Sequence, residues 1–447
     1  MRSPTEFVPL DRSPKLTPRQ SILIAITLII AACGQADSNR ASGSESGTGS
    51  IPTPQGEDLN EALDDLMGLP YAGFVDEEDD VKEGLISSSG TRWYRGYTLY
   101  SLYSGGMAML VNPHGDIVHH WSTPLSERWA HTELMPNGEL LTTGIVAREG
   151  ARDEEVEGGN DLERRFALRM KWNGEIVWRV HNAAHHEMTR DPDGGLVTLT
   201  ARGRRTKVAG EKGRLIRDNV VTYLDEAGQT VRNISLYNMI AADSLIFPLK
   251  TSAHKEGDKA LRDLIHANAI EWLNRPDLYS RSPLYGRNNV VLSMRHQDRI
   301  AIFDLEQEKL LWAWGLGEIS GPHDVQLLES GNLLLLDNGV EKRRSRVIEV
   351  DPVENQIVWE WQAPTAREFF TRTKGAVQRL PNGNTLVTNA DHGEIFEIAP
   401  DGDVVWRFVS PMRNAEGKRS TLHRARRFES EFIEDLISKY GANPYEG

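Results

Sequence analysis

Histidine opens a run of apolar residues at four places in this chain, His131, His186, His266 and His323, and a further pair, Arg295 and His296, ends another such run. Spacing relates them. His186 and His323 stand six residues ahead of Pro192 and Glu329, each at the turn of an apolar hairpin, as Gly375 stands ahead of Pro381, whereas His131 is one residue out of that register. Imidazole is uncharged above its ordinary pKa of about 6.5, so it can act as a nucleophile, as a proton donor and acceptor, or as a metal ligand. A guanidinium among several imidazoles adds a planar fork of donors suited to an oxyanion. These residue types admit two chemistries at one locus: passage of an anionic group through histidine, or a zinc, copper or iron held by His131, His186, His266 and His323. No thiol or carboxylate shares the strand-start register with them, which favours the first.

The elements that would bring these positions together are repeats. One hairpin type recurs as "MAMLVNPHGDIVHHW" (107–121), "ALRMKWNGEIVWRV" (167–180), "NVVTYLDEAGQTVRNI" (219–234), "RIAIFDLEQEKLLWAW" (299–314), "SRVIEVDPVENQIVWEW" (345–361) and "GEIFEIAPDGDVVWRF" (393–408). Between them a second type recurs at 131–144, 186–201, 266–295, 323–339 and 375–390. Two alternating hairpins make a four-stranded blade, and blades set around an axis leave few free edges. The chain is therefore predicted to be all-β, a six-bladed β-propeller over 93–411, with "GYTLYSLYS" (96–104) closing the ring against the C-terminal strand. Trp121, Trp178, Trp312, Trp359 and Trp406 sit at equivalent positions and are expected to pack between blades. The second hairpin type would line the channel, so residues at equivalent strand starts converge on the axis. Turns such as "DNG" after "NLLLL" are read as hairpin chemistry and not as sites.

The flanks read differently. Lys15 and Arg19 precede an apolar run, Ile22 to Ile30, too short to span a bilayer, which ends Ile30-Ala31-Ala32-Cys33; residues 1–33 are read as a lipoprotein signal whose lipobox cysteine, Cys33, is lipidated. Cys33 is the chain's only cysteine, so no intramolecular disulfide can form. Residues 34–92 follow as a polar tether and a short acidic segment, and 412–447 as an extension whose "HRARRFESEFIEDLISKY" reads as an amphipathic helix. The formal charge of −14 without a basic run excludes a nucleic-acid partner. The acidic loop 148–165 reads as a solvated insertion. The expected location is exported and lipid-anchored to a bacterial membrane, facing the periplasm or the cell exterior.

The stretches "HHEMTRDPDGG", "HANAI", "LSMRHQDRIAIFD", "GPHDVQLLESGNLLLLDNG" and "VQRLPNGNTLVTNADHGEIFEI" resemble the bacterial arylsulfate sulfotransferases, in that family's order, over residues 95–425. The resemblance implies a six-bladed propeller that passes a sulfuryl group from a phenolic sulfate to a phenolic acceptor in ping-pong fashion, with no cofactor and no phosphoadenosine phosphosulfate. It places the transiently sulfated histidine at His323, assisting histidines at His186 and His266, and the sulfate-binding arginine at Arg295. Asn268 falls beside the sulfate, with His185 and His296 as neighbouring substrate-side residues. A family disulfide is impossible here, and the loops "GRNN" and "ADSLIFPLKTSAHKEGDKALRD" match nothing in the family. A propeller can also be a non-catalytic scaffold, but a scaffold gives no reason for an arginine among the histidines.

Overall fold

The computed structural model describes residues 73–75, 82–146, 161–208, 211–250, 261–414 and 416–445, all within the compact unit Asp64–Gly447. The expected signal, Cys33 and most of the tether and of the acidic loop lie outside the described residues. Six sheets of four or five strands form the six blades of a β-propeller. From the axis outward, blade 2 runs Ser126–Leu134, Leu140–Val146, Arg165–Met170, Ile176–Val180, and blade 3 runs Ala184–Arg190, Leu196–Val208, Glu211–Leu224, Thr230–Ser235. Blade 4 is Ala267–Trp272, Asn289–Met294, Arg299–Asp304, Lys309–Trp314, and blade 5 is His323–Leu327, Leu333–Asp337, Arg346–Asp351, Gln356–Trp361. Blade 6 is Ala376–Arg379, Thr385–Asn389, Glu394–Ile398, Val404–Val409.

Blade 1 closes the ring: Gly96–Leu102, Met107–Val111 and Ile117–Ser122 receive Leu422–Glu429 as their innermost strand, with Arg426 opposite Leu99 and Phe428 opposite Tyr97. This corrects the C-terminal reading. "HRARRF" is strand, the helix is confined to Ser430–Tyr440, and the propeller extends beyond residue 411. The basic residues mimic a helical face but alternate between the two sides of a strand. Arg426 reaches Asp324 at 2.6 Å, while Arg427, wholly buried, pairs with buried Glu397 at 2.5 Å. Gly84–Ser88, expected in the tether, adds a fifth strand to the outer edge of blade 6.

Position in the blade explains the patterning. Second strands are covered on both faces and read as unbroken apolar runs, as in Leu333–Asp337, buried throughout, whereas outermost strands alternate, as in Gln356–Trp361. Between blades, Val291, Ile300 and Ile302 of one pack on Leu333, Leu335 and Ile348 of the next; each such side chain contributes roughly 1.5–3 kcal/mol by leaving water. The tryptophans seal these joints as expected. Trp178 donates to the carbonyl of Glu226 in the next blade at 3.0 Å, Trp312 to Asn355 Oδ1 at 2.7 Å, and Trp359 lies under the Arg379 guanidinium at 5.2 Å. Trp121 meets Trp172 edge-on at 5.2 Å, and Trp406 stacks on Trp93.

Candidate active site on the propeller axis

The innermost strands carry a common distortion where the histidines stand. Their pairing slips between Ala184 and Met188, Ala267 and Ala269, His323 and Gln326, Leu422 and Ala425, and Trp129 and Thr132. Bulges of this kind re-aim side chains. The backbone is left-handed at His186 (φ 60°), His266 (φ 52°), Asp324 (φ 53°) and Lys374 (φ 57°), at a cost of about 1–3 kcal/mol for each non-glycine residue. Blades 3, 4, 5 and 6 thus spend stability on turning residues toward the axis.

His186 and His266 come together there with His423, which the sequence reading missed, and His323 lies within electrostatic reach of Arg295 and His423. The His186 ring lies 4.8 Å from His266 and 6.0 Å from His423, and His266 lies 4.4 Å from His296. His423 opens the closing strand of blade 1. Taken for helix, it could not enter the strand-start register. Arg295, 6% exposed, donates through Nη1 to His296 Nε2 at 2.9 Å, and His296 donates through Nδ1 to the carbonyl of Asp263 at 2.7 Å. His296 therefore orients the arginine. On the far side Tyr103 stacks near His423 at 6.4 Å and carries the Arg128 guanidinium and the Lys374 ammonium over its ring at 4.4 and 4.5 Å.

His323, His266 and His185 each have a fixed partner. His323, 4% exposed, has Nδ1 2.7 Å from Asn338 Oδ1 and 3.1 Å from the carbonyl of Gly321. His266 has Nδ1 3.0 Å from Asp263 Oδ2, while its backbone N–H donates to Asp263 Oδ1 at 2.9 Å. His185 does not face the site as a separate contact: it donates through Nε2 to the carbonyl of Thr200 at 3.2 Å and accepts from His186 Nδ1 at 2.8 Å. Asn268 is likewise engaged by protein, donating to the carbonyl of Pro322 at 3.0 Å and accepting from Ser293 Oγ at 2.5 Å. It pins the residue before His323 across the blade 4–5 joint. Asp263 comes from Leu261–Asp263, a strand parallel to Glu211–Leu224 in which Asp263 lies opposite Arg217. This segment falls in the loop that resembled nothing.

Burial, then the positive charge of Arg295, push His323 down to about 3; burial, then Arg165, push His185 down to about 3. Burial and neighbouring imidazoles hold His186 well below its ordinary value. His266 is driven down by burial and His296 while Asp263 pulls it up. Burial thus favours the neutral form at His323, His185 and His186, while at His266 the Asp263 carboxylate favours the protonated form against it.

His131 belongs elsewhere, as its register suggested. Its Nε2 lies 3.2 Å from Glu133 and 3.3 Å from Glu187, in a buried set further along the strands where Arg424 bridges Glu187 at 2.7 Å and Asp324 at 3.2 Å. The metal set of His131, His186, His266 and His323 is therefore not assembled. Among the described residues the atoms of Asp263, His266 and His296 fall within 4.8 Å of one another, two of them already joined by a hydrogen bond.

No curated protein matches the chain in sequence. Solved structures similar to it include a protein of unknown function from Bacteroides caccae (13% identity, 75% of this chain and 99% of that one, TM-score 0.46). Others are a putative 6-phosphogluconolactonase from Bacteroides fragilis NCTC 9343 (11%, 76% and 99%, 0.43) and a virginiamycin B lyase from Staphylococcus aureus (13%, 75% and 91%, 0.41). At such scores and identities these likenesses carry no weight for the chemistry. A family match does: the arylsulfotransferase (ASST) family covers residues 169–411, more than half of the chain and four of the strand starts on the axis, His186, His266, His323 and Gly375. The chain belongs to the arylsulfotransferase family.

Proposed function

We propose that this protein transfers a sulfuryl group from a phenolic sulfate ester to a phenolic acceptor by way of a sulfated His323, without a nucleotide sulfate donor. The observation that carries the reading is a buried, neutral imidazole tied at Nδ1 and within electrostatic reach of Arg295, in a propeller where neighbouring strand starts bring His186 and His266 together. An aryl sulfate is an anion that would repel a carboxylate nucleophile, whereas uncharged His323 attacks sulfur without that penalty. The N–S bond forms as the S–O(aryl) bond breaks, and Arg295 holds the non-bridging oxygens throughout. The leaving phenolate, whose parent pKa is about 10, takes a proton from the imidazolium form of His266 or His186, a form that Asp263 favours at His266, and the ring left neutral then accepts the proton of the incoming phenol. A nitrogen bearing positive character leaves readily, so one difficult transfer becomes two easier ones.

The lipobox cysteine Cys33 would hold the protein at a bacterial membrane on the exported side. The test of function is incubation of purified protein with an aryl sulfate and phenol in the presence of a chelator, with mass spectrometry of the His323 peptide. Transfer with a sulfated His323 is expected. Activity lost to the chelator and restored by one metal would replace this reading with a metalloenzyme built on Asp263, His266 and His296.

A further inference from the structure

"DNG" (337–339) does more than turn a chain. Asp337 Oδ1 accepts from the N–H groups of Ser320 and Gly339 at 2.9 and 3.0 Å, and Gly339 (φ 61°) has the carbonyl of Arg344 1.8 Å from where a Cβ would lie. Those two residues make the turn. Asn338 between them is wholly buried and turned toward His323. Its Nδ2 donates to the carbonyls of Thr371 and Lys374 at 2.8 and 3.0 Å, and its own carbonyl accepts from Ser345 Oγ at 2.9 Å. The amide has one admissible orientation, since its flip would set Oδ1 against two carbonyl oxygens. Oδ1 therefore faces His323 Nδ1, whose other neighbour, the Gly321 carbonyl, is also purely an acceptor. A nitrogen between two acceptors carries the proton, and the lone pair is left on Nε2.

We propose that Asn338 is a positioning residue that presents Nε2 of His323, and not Nδ1, as the atom that carries the sulfuryl group, and that an amide here rather than a carboxylate keeps that group transferable. The inference rests on the sulfuryl-transfer reading and deepens it. The Nε2 lone pair forms the N–S bond while the S–O bond electrons leave on the aryl oxygen, which takes a proton from a neighbouring imidazolium and leaves that ring neutral. The ring then bears a positive charge with Nδ1–H still held by Asn338. A carboxylate in that place would neutralise the ring, strengthen the N–S bond and hold a proton on the resting imidazole. The charged groups that face His323 from other elements, Arg295 from blade 4 and Arg424 and His423 from the closing strand, carry no negative charge, and Asp324 beside it is engaged by Arg424 and Arg426.

The test uses the full-length chain. Nitrogen-15 spectra of histidine-labelled wild type, assigned by comparison with His323→Gln, should show His323 with a protonated Nδ1 and a bare Nε2; the opposite tautomer overturns the proposal and needs no variant to fold. Asn338→Ala should slow the burst of phenol release about 10- to 100-fold, the usual cost of losing an orienting partner, with burst amplitude and donor KM retained. Asn338→Asp should move the acidic limb of that burst up by roughly one pH unit or more and lengthen the life of the sulfo-enzyme. Unchanged burst rates and pH profiles in variants that melt like wild type overturn the proposal. If wild type turns over no aryl sulfate yet shows the expected tautomer, the transfer reading falls and the claim about the carried group with it. Turnover with the wrong tautomer removes only Asn338.

Discussion

Asp263→Asn separates proton handling from sulfuryl carriage, because it leaves His266 in place and changes one charge beneath it. In the native site the carboxylate takes the Nδ1 proton of His266 at 3.0 Å and is itself braced by Arg217 at 3.6 Å. Burial pushes the imidazolium toward losing its proton, and Asp263 opposes this. Removing the negative charge must lower the proton affinity of His266 further. The acid form needed to protonate a leaving phenolate then survives only at lower pH, so the declining alkaline limb of the first half-reaction should shift downward. The loss at neutral pH for a donor with an ordinary phenol leaving group should be that of a missing general acid, about 10²- to 10⁴-fold or about 3–5 kcal/mol. A nitrophenyl donor, whose leaving group needs little help from a proton, should lose far less. The assay is the pre-steady-state release of phenol across a series of donors. A steeper dependence of log rate on leaving-group pKa in the variant is expected; equal losses for good and poor leaving groups would refute the acid role of His266 and leave His186 as the acid.

His323→Gln should abolish both sulfo-enzyme and transfer in a radiolabel or mass assay, and since His323 is buried against Asn338, His323→Ala should also cost about 1–3 kcal/mol in a denaturation series by leaving Asn338 Oδ1 unpaired. Arg295→Ala should retain a trace of sulfo-enzyme while the burst slows about a hundredfold, about 3 kcal/mol, with the loss in rate and not only in donor KM. Glu397→Gln strands the wholly buried Arg427 and should destabilise the propeller by about 3–5 kcal/mol in chemical denaturation without altering the burst rate constant of the folded fraction. Cys33→Ala should release the protein from the membrane fraction of cells that process lipoproteins, whereas equal partitioning of both forms would count against the lipid anchor.

What was legible in the sequence is what repeats. Hairpin alternation, the tryptophans and the six-residue offset before three of the inner turns are properties of a local period, and they set His186 and His323 at equivalent strand starts along with the joints between blades. His423 escaped because its strand is completed by a partner more than 300 residues away, and "HRARRFESEF" has the charge spacing of a helix face until Gly96–Leu102 is placed beside it. Asp263 escaped because its loop is an insertion with no counterpart in the other blades. Asn338 was read as turn chemistry because its neighbours are turn chemistry; only the direction of one side chain distinguishes it, and period does not encode that. Asn268 and His185, expected beside the substrate, have bonds that run to Pro322, Ser293, Thr200 and His186 and so hold the residues around the axis in place.

The closing strand ties these observations into one dependence. Leu422–Glu429 is the last segment of the propeller in chain order and the innermost strand of the first blade. It brings His423 to the imidazole cluster, and it brings Arg424, whose guanidinium reaches Glu187 of blade 3, the backbone carbonyl of Asn268 in blade 4 at 3.3 Å and Asp324 of blade 5. A buried arginine held by three blades is favourable only when all three carboxylate and carbonyl partners are present, because each unmade contact leaves a charge or dipole unpaired in a medium of low dielectric. Ring closure and site assembly are then one event. Without the C-terminal strand, Glu187 and Asp324 lose the Arg424 cation they share, and Asp324 loses Arg426 as well. Docking supplies that countercharge, so on the sulfuryl-transfer proposal the axis would accept an anionic ester only in the closed propeller.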